Sequence, residues 1–470
     1  MEQKDKINED YQFPAGIKSV YFIGIGGIGM SALAKFFHEK GVAVSGYDKT
    51  PGAVTAALQK SGIPVHFEED VAQMPENPDY VVYTPAVPAA HAELVQAREK
   101  GMNVVKRSDI LQVLTGSSFN VCIAGTHGKT TISSMTAHLL RASGFGCNAF
   151  LGGISVNYDT NNWSDKRNVC VVEADEYDRS FLKLNPGIAV ITAMDPDHLD
   201  IYGTAAAMEE AFIAFSKNVE PGGLLIRQFG LKRGKELKAD RVLTYSLQNE
   251  SADVYAKNIM ITEGAYRFDV MIKDVILENA ELHMGGMHNV ENAVAAIAVA
   301  VSLNIDHDKI RQAIAGFRGV KRRFEYIIRN NRLVFIDDYA HHPEELRALI
   351  QGAKSLYRQR KCTVIFQPHL FTRTRDFAGG FAEVLDAADE VILLPIYPAR
   401  EEPIAGVSSE MILSKMNQAT GKVMQKDELI KWASDYAANV NHEFGNMLIT
   451  AGAGDIDALV EPLKNILNKV

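Results

Sequence analysis

Residues 121–131 read Val121-Cys122-Ile123-Ala124-Gly125-Thr126-His127-Gly128-Lys129-Thr130-Thr131. An apolar run from Phe119 to Ala124 enters a turn bounded by Gly125 and Gly128. Beyond Lys129 the apolar residues Met135, Leu139 and Leu140 recur at helical spacing until Gly144. The pattern predicts a strand, a phosphate loop and a helix. Each residue type has a chemical reason to be there. Glycines let backbone N–H groups close around phosphate oxygens, the helix start adds positive dipole, a lysine reaches the outer phosphates, and a hydroxyl can sit on magnesium. Gly125 and Gly128 are separated by two residues where the general P-loop has four, so a structural glycine turn is the competing reading. The strand before and the helix after favour a nucleoside triphosphate.

Upstream, the apolar stretch Ser19–Ile23 runs into Gly24-Ile25-Gly26-Gly27-Ile28-Gly29, then a helical pattern through Lys40, then an apolar stretch closing on Asp48. This is the GxGxxG arrangement of a dinucleotide-binding βαβ unit, with an acidic residue about 20 positions on. Three readings stay open: NAD, another diphosphate held by the same backbone cradle, or a turn that only packs a helix on a strand. The alternation of strand and helix continues through Tyr80–Tyr83 and Val104-Val105 to a short polar linker at Thr115-Gly116-Ser117-Ser118.

Downstream, Val169–Val172 delivers Glu173-Ala174-Asp175-Glu176-Tyr177-Asp178, and Ile188–Thr192 delivers Asp195-Pro196-Asp197-His198-Leu199-Asp200. Ligands of open α/β sheets gather at such strand ends. Magnesium is held by one or two carboxylates plus phosphates and water, so a carboxylate here can complete a site begun by Thr130. From Arg241 to Leu282 short alternating runs predict a small antiparallel addition. His288, Asn289 and Asn292 then open an alanine-rich helix, where amides could read a base or cap the helix. A third unit starts near Lys321. Its strand ends present Asp337-Asp338-Tyr339-Ala340-His341-His342-Pro343 and Gln367-Pro368-His369-Leu370-Phe371-Thr372-Arg373, a cationic cluster without metal-ligand spacing that suits carboxylates or phosphates.

At 470 residues the chain exceeds one ordinary core. Its net charge of −9 disfavours a nucleic-acid-binding surface. Cys122, Cys147, Cys170 and Cys362 show neither paired metal spacing nor disulfide density, as expected for a reducing compartment. The start is polar and unlike a signal peptide, and the most apolar run, Ala293 to Leu303, has 11 residues, too few to span a bilayer. A cytoplasmic protein without membrane insertion is expected, a monomer or homodimer.

GTHGKTT, VEADEYDRSFL, DPDHLDIYG, GMHNVENAVAA, the RRF step and DDYAHHPEE stand in the order and spacing of the Mur ligases, which this chain resembles over essentially its whole length. These are ATP-dependent amide-forming enzymes of peptidoglycan precursor synthesis. GIGGIGMSALA, DDYAHHP and QPHLFTRTRDF are most similar to the branch that joins L-alanine to UDP-N-acetylmuramate. The alternative is the recycling branch, which attaches a whole tripeptide to the same sugar nucleotide and lacks the PHxFxRTR segment.

The resemblance implies three α/β domains: a Rossmann-like UDP-sugar-binding domain at 1–114, a central P-loop ATPase-type domain with the antiparallel addition at 115–320, and a Rossmann-like amino-acid-binding domain at 321–470. It implies that Gly24, Gly26, Gly27 and Gly29 face UDP rather than NAD, with Asp48, Thr84 and Arg107 as further uridine or sugar contacts. Gly125, Thr126, His127, Gly128, Lys129, Thr130 and Thr131 would hold ATP. Thr130, Glu173 and His198 would hold Mg2+. His288, Asn289 and Asn292 would lie on the adenine side, Arg323 and Asp338 at phosphate and ribose, and Tyr339, His341, His369 and Arg373 around L-alanine. Lys129, Glu173, His198 and Arg323 would be the catalytic set. Leu370 stands where arginine is expected, and no lysine matches the carbamylated lysine of the later enzymes.

In the implied mechanism ATP phosphorylates the lactyl carboxylate and the alanine amine attacks the acyl phosphate. His198 and His341 are both chemically suited to accept the amine proton, and the sequence does not choose between them. Supply of the three substrates by three domains implies closure, with hinges expected at Thr115–Ser118 and Phe317–Lys321.

Overall fold

The computed structural model describes residues 3–196, 199–262, 264–399, 401–417, 420–441 and 443–468. The first sheet contains β1 (Ser19–Ile23), β2 (Ala43–Tyr47), β3 (Val65–His66), β4 (Tyr80–Tyr83) and β5 (Val104–Lys106), in the spatial order β3-β2-β1-β4-β5. All its pairings are parallel. Val20, Tyr21, Phe22 and Ile23 are all buried, because helices cover both faces of a parallel sheet. That is why β1 reads as a continuous apolar run rather than as an alternation.

The second sheet has β6 (Phe119–Ala124), β7 (Asn148–Ser155), β8 (Thr160–Trp163), β9 (Val169–Glu173), β10 (Pro186–Ile191), β11 (Leu224–Gln228), β12 (Arg241–Ser246), β13 (Val254–Thr262), β14 (Ala265–Ile272) and β15 (Val275–Leu282). Its order is β15-β14-β13-β12-β11-β10-β6-β9-β7-β8. Strand β6 is therefore flanked by β9 and β10, both parallel to it, with Ile123 opposite Glu173 and Ala124 opposite Ile191. The chain leaves all three strands on the same edge, so the glycine loop emerges between the two acidic strand ends. Strand β8 runs antiparallel to β7.

The third sheet has β16 (Glu325–Arg329), β17 (Leu333–Asp338), β18 (Lys361–Phe366), β19 (Glu390–Leu393), β20 (Thr420–Val423) and β21 (Asn446–Ala451), in the order β16-β17-β21-β18-β19-β20. Only β16 is antiparallel, through a hairpin with β17 at Asn330-Asn331. Strand β16 begins at Glu325, just past Arg322 and Phe324, which take left-handed backbone angles (φ 60° and 50°).

The chain packs as two compact units. One comprises Met1–Lys257, Asp269–Ala280 and Glu291–Phe317; the other comprises Asn258–Phe268, Glu281–Val290 and Arg318–Val470. Within the former, the helix Ile28–Glu39 that follows the first glycine loop lies against β7 and β8. Phe36 meets Phe150 at 4.9 Å between ring centres, and Asn161 donates its amide to the Ile28 carbonyl. Both phenylalanines are buried, each contributing roughly 2–3 kcal/mol. The Thr115–Ser118 linker is buried at its two ends and exposed at Gly116 and Ser117 between them. Thr115 and Ser118 are buried, and the Asn120 and Asn168 amides donate to the Thr115 and Ser117 carbonyls. The neighbouring asparagines thus satisfy linker main chain that turns away from water.

Candidate active site

The phosphate loop is built by close approach. Gly125 has φ 130°, and a Cβ there would stand 2.0 Å from Thr192 Oγ1 and 2.8 Å from the Ala193 nitrogen. Thr192 in turn donates to the His127 carbonyl, and Thr126 N donates to the Ala193 carbonyl at 3.2 Å, so the strand end after β10 clamps the loop. Gly128, at φ 79°, is the N-cap of the helix Lys129–Ala142, and a Cβ on it would lie 2.9 Å from Asn292 Oδ1. Only glycine reaches both conformations without strain.

Lys129 Nζ donates to the Gly125 carbonyl and to Glu176, 2.7 Å each. The Glu176 side chain has no exposed surface, and burial raises its pKa despite the neighbouring lysine. Thr130 Oγ1 donates to Glu173 Oε1 at 3.0 Å, while Glu173 Oε2 accepts from Gly152 N at 2.9 Å and from Ser133 Oγ at 3.4 Å. A Cβ on Gly152 would fall 2.3 Å from that carboxylate. A hydroxyl and a carboxylate at the start of a helix are the hard oxygen donors that suit Mg2+. No group of three or more His, Cys, Asp or Glu side chains that could hold a metal occurs among the described residues. His198 lies outside the described residues. His127 and Thr131 stand where the sequence places them, His127 exposed beside Asp195 at 3.6 Å and Thr131 buried in the helix.

The first glycine loop reaches the same region. Gly24 (φ 86°) sits against Thr84, Gly26 N donates to Asp48 Oδ2 at 2.7 Å, and Gly29 lies against the Arg107 guanidinium; Gly27 caps the helix Ile28–Glu39. Asp48 also accepts from Thr50 N, so its carboxylate holds the loop in shape. Arg107 Nη2 lies 3.4 Å from Asp175. A cavity of about 240 Å³ opens here, lined by Gly29, Arg107, Phe150, Gly152, Glu173 and Asp175 among others. The glycine loop of the first sheet and the Glu173 carboxylate of the second thus share one cavity.

At the start of the helix Met287–Ser302, the Asn289 amide donates to the Gly285 carbonyl at 2.6 Å and the His288 ring lies over Gly286. The Asn289 side chain is thereby tied to the turn before the helix, donating to a carbonyl rather than accepting from a helix N–H as a cap does.

In the C-terminal unit the adjacent arginines divide. Arg322 is drawn inward to Asp337, Asp457 and the Gly452 carbonyl, and lies over the Tyr339 ring at 5.0 Å. Arg323 is exposed and makes no ion pair among the described residues. Asp338 holds this step in place, accepting from Phe324 N and Ala340 N at 2.7 Å each. Burial outweighs those two donors and pushes its carboxyl up to about 6; it pushes Asp337 up to about 7.

His341, after β17, and His369, after β18, stand edge-on with ring centres 6.1 Å apart, and Tyr339 lies 5.2 Å from His341. His369 stacks on Tyr397 at 5.8 Å. The buried His369 Nδ1 and Arg373 Nη1 have no hydrogen-bond partner among the described residues. Such groups are costly unless a ligand satisfies them, and a guanidinium beside an imidazole suits a carboxylate. Leu370 contributes through its main chain: at φ 70° its nitrogen donates to the Tyr397 carbonyl and its carbonyl caps Thr374.

Family models match the chain in the order of these sheets. The Mur ligase family catalytic domain covers residues 19–118, the Mur ligase middle domain 123–300, and the Mur ligase glutamate ligase domain 322–454. The UDP-N-acetylmuramate–L-alanine ligase of Parabacteroides distasonis is 48% identical over 460 residues, 96% of this chain and 98% of the relative. The chain belongs to the Mur ligase family. The same-named enzyme of Flavobacterium johnsoniae is 45% identical over 457 residues, again 96% and 98% of the two chains. The solved UDP-N-acetylmuramate-alanine ligase of Thermotoga maritima matches this Mur ligase with a TM-score of 0.80 at 28% identity, over 96% of this chain and 98% of that one. A murein peptide ligase from Psychrobacter arcticus shares the fold, with a TM-score of 0.65 at 22% identity over 96% and 99%.

Four residues of the Mur ligase site escaped the sequence reading. Gly152 and Ser133 fix Glu173, Glu176 holds Lys129, and Tyr397 backs His369. Glu176 carried a signal, lying three residues after Glu173 on the same acidic strand end. Gly152 carried none, since its role depends on β7 lying beside β9.

Proposed function

We propose that this Mur ligase joins L-alanine to the lactyl carboxylate of UDP-N-acetylmuramate with consumption of ATP, through an acyl phosphate. The carrying observation is Glu173, which bonds the Thr130 hydroxyl at the phosphate loop and also lines the cavity reached by Gly29 and Arg107. The phosphoryl donor and its acceptor carboxylate then meet at one point. Gly24, Gly26, Gly27 and Gly29 hold the diphosphate of the sugar nucleotide with Thr84 and Arg107 beside it, and Gly125–Thr131 hold ATP.

Lys129 turns from Glu176 and the Gly125 carbonyl towards the β- and γ-phosphates, since its amine has three donors and the loop fixes its base. Thr130 and Glu173 are the groups for Mg2+, which when bound neutralises charge on the phosphate oxygens. Arg323 offers an exposed guanidinium to a phosphate anion, held in place by Asp338. Arg373 and His369 take the α-carboxylate of the amino acid, and Tyr339 and His341 flank its amine. Positioning and fixed dipoles supply most of the effect, without a covalent enzyme intermediate. Four free, buried cysteines and a demand for ATP support a cytoplasmic setting, and no helix among the described residues is long and apolar enough to cross a membrane.

The test is phosphate release from ATP with UDP-N-acetylmuramate and Mg2+, adding L-alanine, glycine, L-serine or the tripeptide in turn. Release that requires both the sugar nucleotide and L-alanine is expected. Release with tripeptide alone would move the assignment to the recycling reaction.

A further inference from the structure

The segment after β17 is folded back on itself. Pro343 opens the helix Pro343–Leu356 at a position that needs no N–H, and Glu345, two residues on, turns towards the helix start. Its Oε2 accepts from His341 N at 2.9 Å and His342 N at 3.2 Å. The same oxygen lies 3.4 Å from His341 Nδ1, and Nδ1 lies 2.9 Å from the Tyr339 carbonyl. A carbonyl oxygen and a carboxylate can only accept, so Nδ1 carries the ring proton and Nε2 is left with a bare lone pair.

Other groups in the cluster are less suited. His342 packs its ring on Phe377 at 4.7 Å. His369 has no acceptor fixing its tautomer among the described residues, and the Arg373 guanidinium offers donors only. The charged groups facing His341 are Glu345, Arg373, His342 and His369; burial, with Arg373 and His342, holds its pKa below the ordinary value against Glu345 and the Tyr339 carbonyl. The imidazole is therefore neutral, and able to accept, at neutral pH.

We infer that His341 Nε2 takes the proton from the amine that attacks the acyl phosphate, and that Glu345 is the positioning residue that sets its tautomer. This rests on the acyl-phosphate reading above. The amino acid arrives as an ammonium ion. One N–H proton passes to His341 Nε2 and on to water. The freed lone pair forms the C–N bond at the acyl carbon, the C–O bond to phosphate breaks with its electron pair, and a second nitrogen proton leaves on the phosphate as HPO4 2−.

The test compares wild type, His341→Gln and Glu345→Gln across pH 6–9.5 under saturating ATP, sugar nucleotide and Mg2+. A positioned base contributes about 10²–10⁴-fold. His341→Gln should lose about 100-fold or more in kcat at pH 7, then gain about tenfold per pH unit as free amine accumulates, while wild type is flat above its acid limb. Glu345→Gln should lose about tenfold in kcat with little change in KM for L-alanine. Hydroxylamine is already neutral at pH 7, so hydroxamate formation by His341→Gln should stay within about threefold of wild type. Borohydride trapping of the acyl phosphate without alanine should be equal in all three proteins and reports that the variants fold.

A flat, near-wild-type profile in His341→Gln overturns the inference, as does an equal loss with hydroxylamine while trapping persists. Absence of trapped acyl phosphate in wild type overturns the reaction reading itself, and the inference with it.

Discussion

Replacing Gly152 by alanine isolates the placement of Glu173 from its chemistry. The new Cβ would stand 2.3 Å from the carboxylate that also bonds Gly152 N and the Thr130 hydroxyl. Ordinary van der Waals contact needs about 3.4 Å or more, so the carboxylate must retreat by roughly 1 Å. Its 3.0 Å bond to Thr130 then stretches beyond hydrogen-bonding reach. The clash falls on the far end of a flexible side chain, so the expected stability loss is only about 1 kcal/mol. A 1 Å misplacement at a reacting centre costs on the order of 100-fold, about 2.7 kcal/mol of transition-state stabilisation. Initial rates against Mg2+ concentration, with thermal unfolding on the same preparation, separate the two effects. A Gly152→Ala protein that unfolds near the wild-type temperature and keeps kcat/KM within about twofold would refute the role given to Glu173.

Three further outcomes are expected. Lys129→Ala should abolish ATP-dependent phosphate release and leave equilibrium binding of the sugar nucleotide within about twofold, because Gly24–Gly29 and Arg107 do not touch the lysine; loss of both would break this division of labour. Arg373→Lys should raise KM for L-alanine about 10–100-fold with kcat changed less than about threefold, since an ammonium cannot replace the guanidinium fork; an unchanged KM in steady-state kinetics would remove Arg373 from the pocket. Asp337 titrates at about 7 in the fold against about 3.9 when unfolded, so the native chain holds an extra proton between these values and loses stability as pH rises through them. The loss is at most about 4 kcal/mol; Asp337→Asn should flatten the slope of denaturant-determined stability between pH 5 and 8, and an equal slope in the variant would count against the buried carboxylate.

The strand, glycine turn and helix around Lys129 were legible because their signals are local, an apolar run, two glycines and a helix start. Arg323 and Arg322 are adjacent and chemically equal in sequence. Left-handed backbone at Arg322 and Phe324, and the long-range acceptors Asp337, Asp338 and Asp457, decide which one is consumed by the fold and which faces outward. At Thr115–Ser118 composition marks a loop but not which of its residues are buried, since polar residues mark a loop equally well whether water or buried main chain satisfies them.

The sequence by itself determined that the chain holds three α/β sheets, a glycine loop at Gly24–Gly29, a second glycine loop running into Lys129 and Thr130, and a histidine–arginine cluster on a later strand edge. Those features depend on periodicity and on turns a few residues long. Tertiary structure alone decided that Gly152 and Ser133 aim Glu173, that Glu176 holds Lys129, that Arg107 and Glu173 line one cavity, and that Tyr397 backs His369. Each of those pairings joins residues brought together by strand order and sheet packing, which no local pattern encodes.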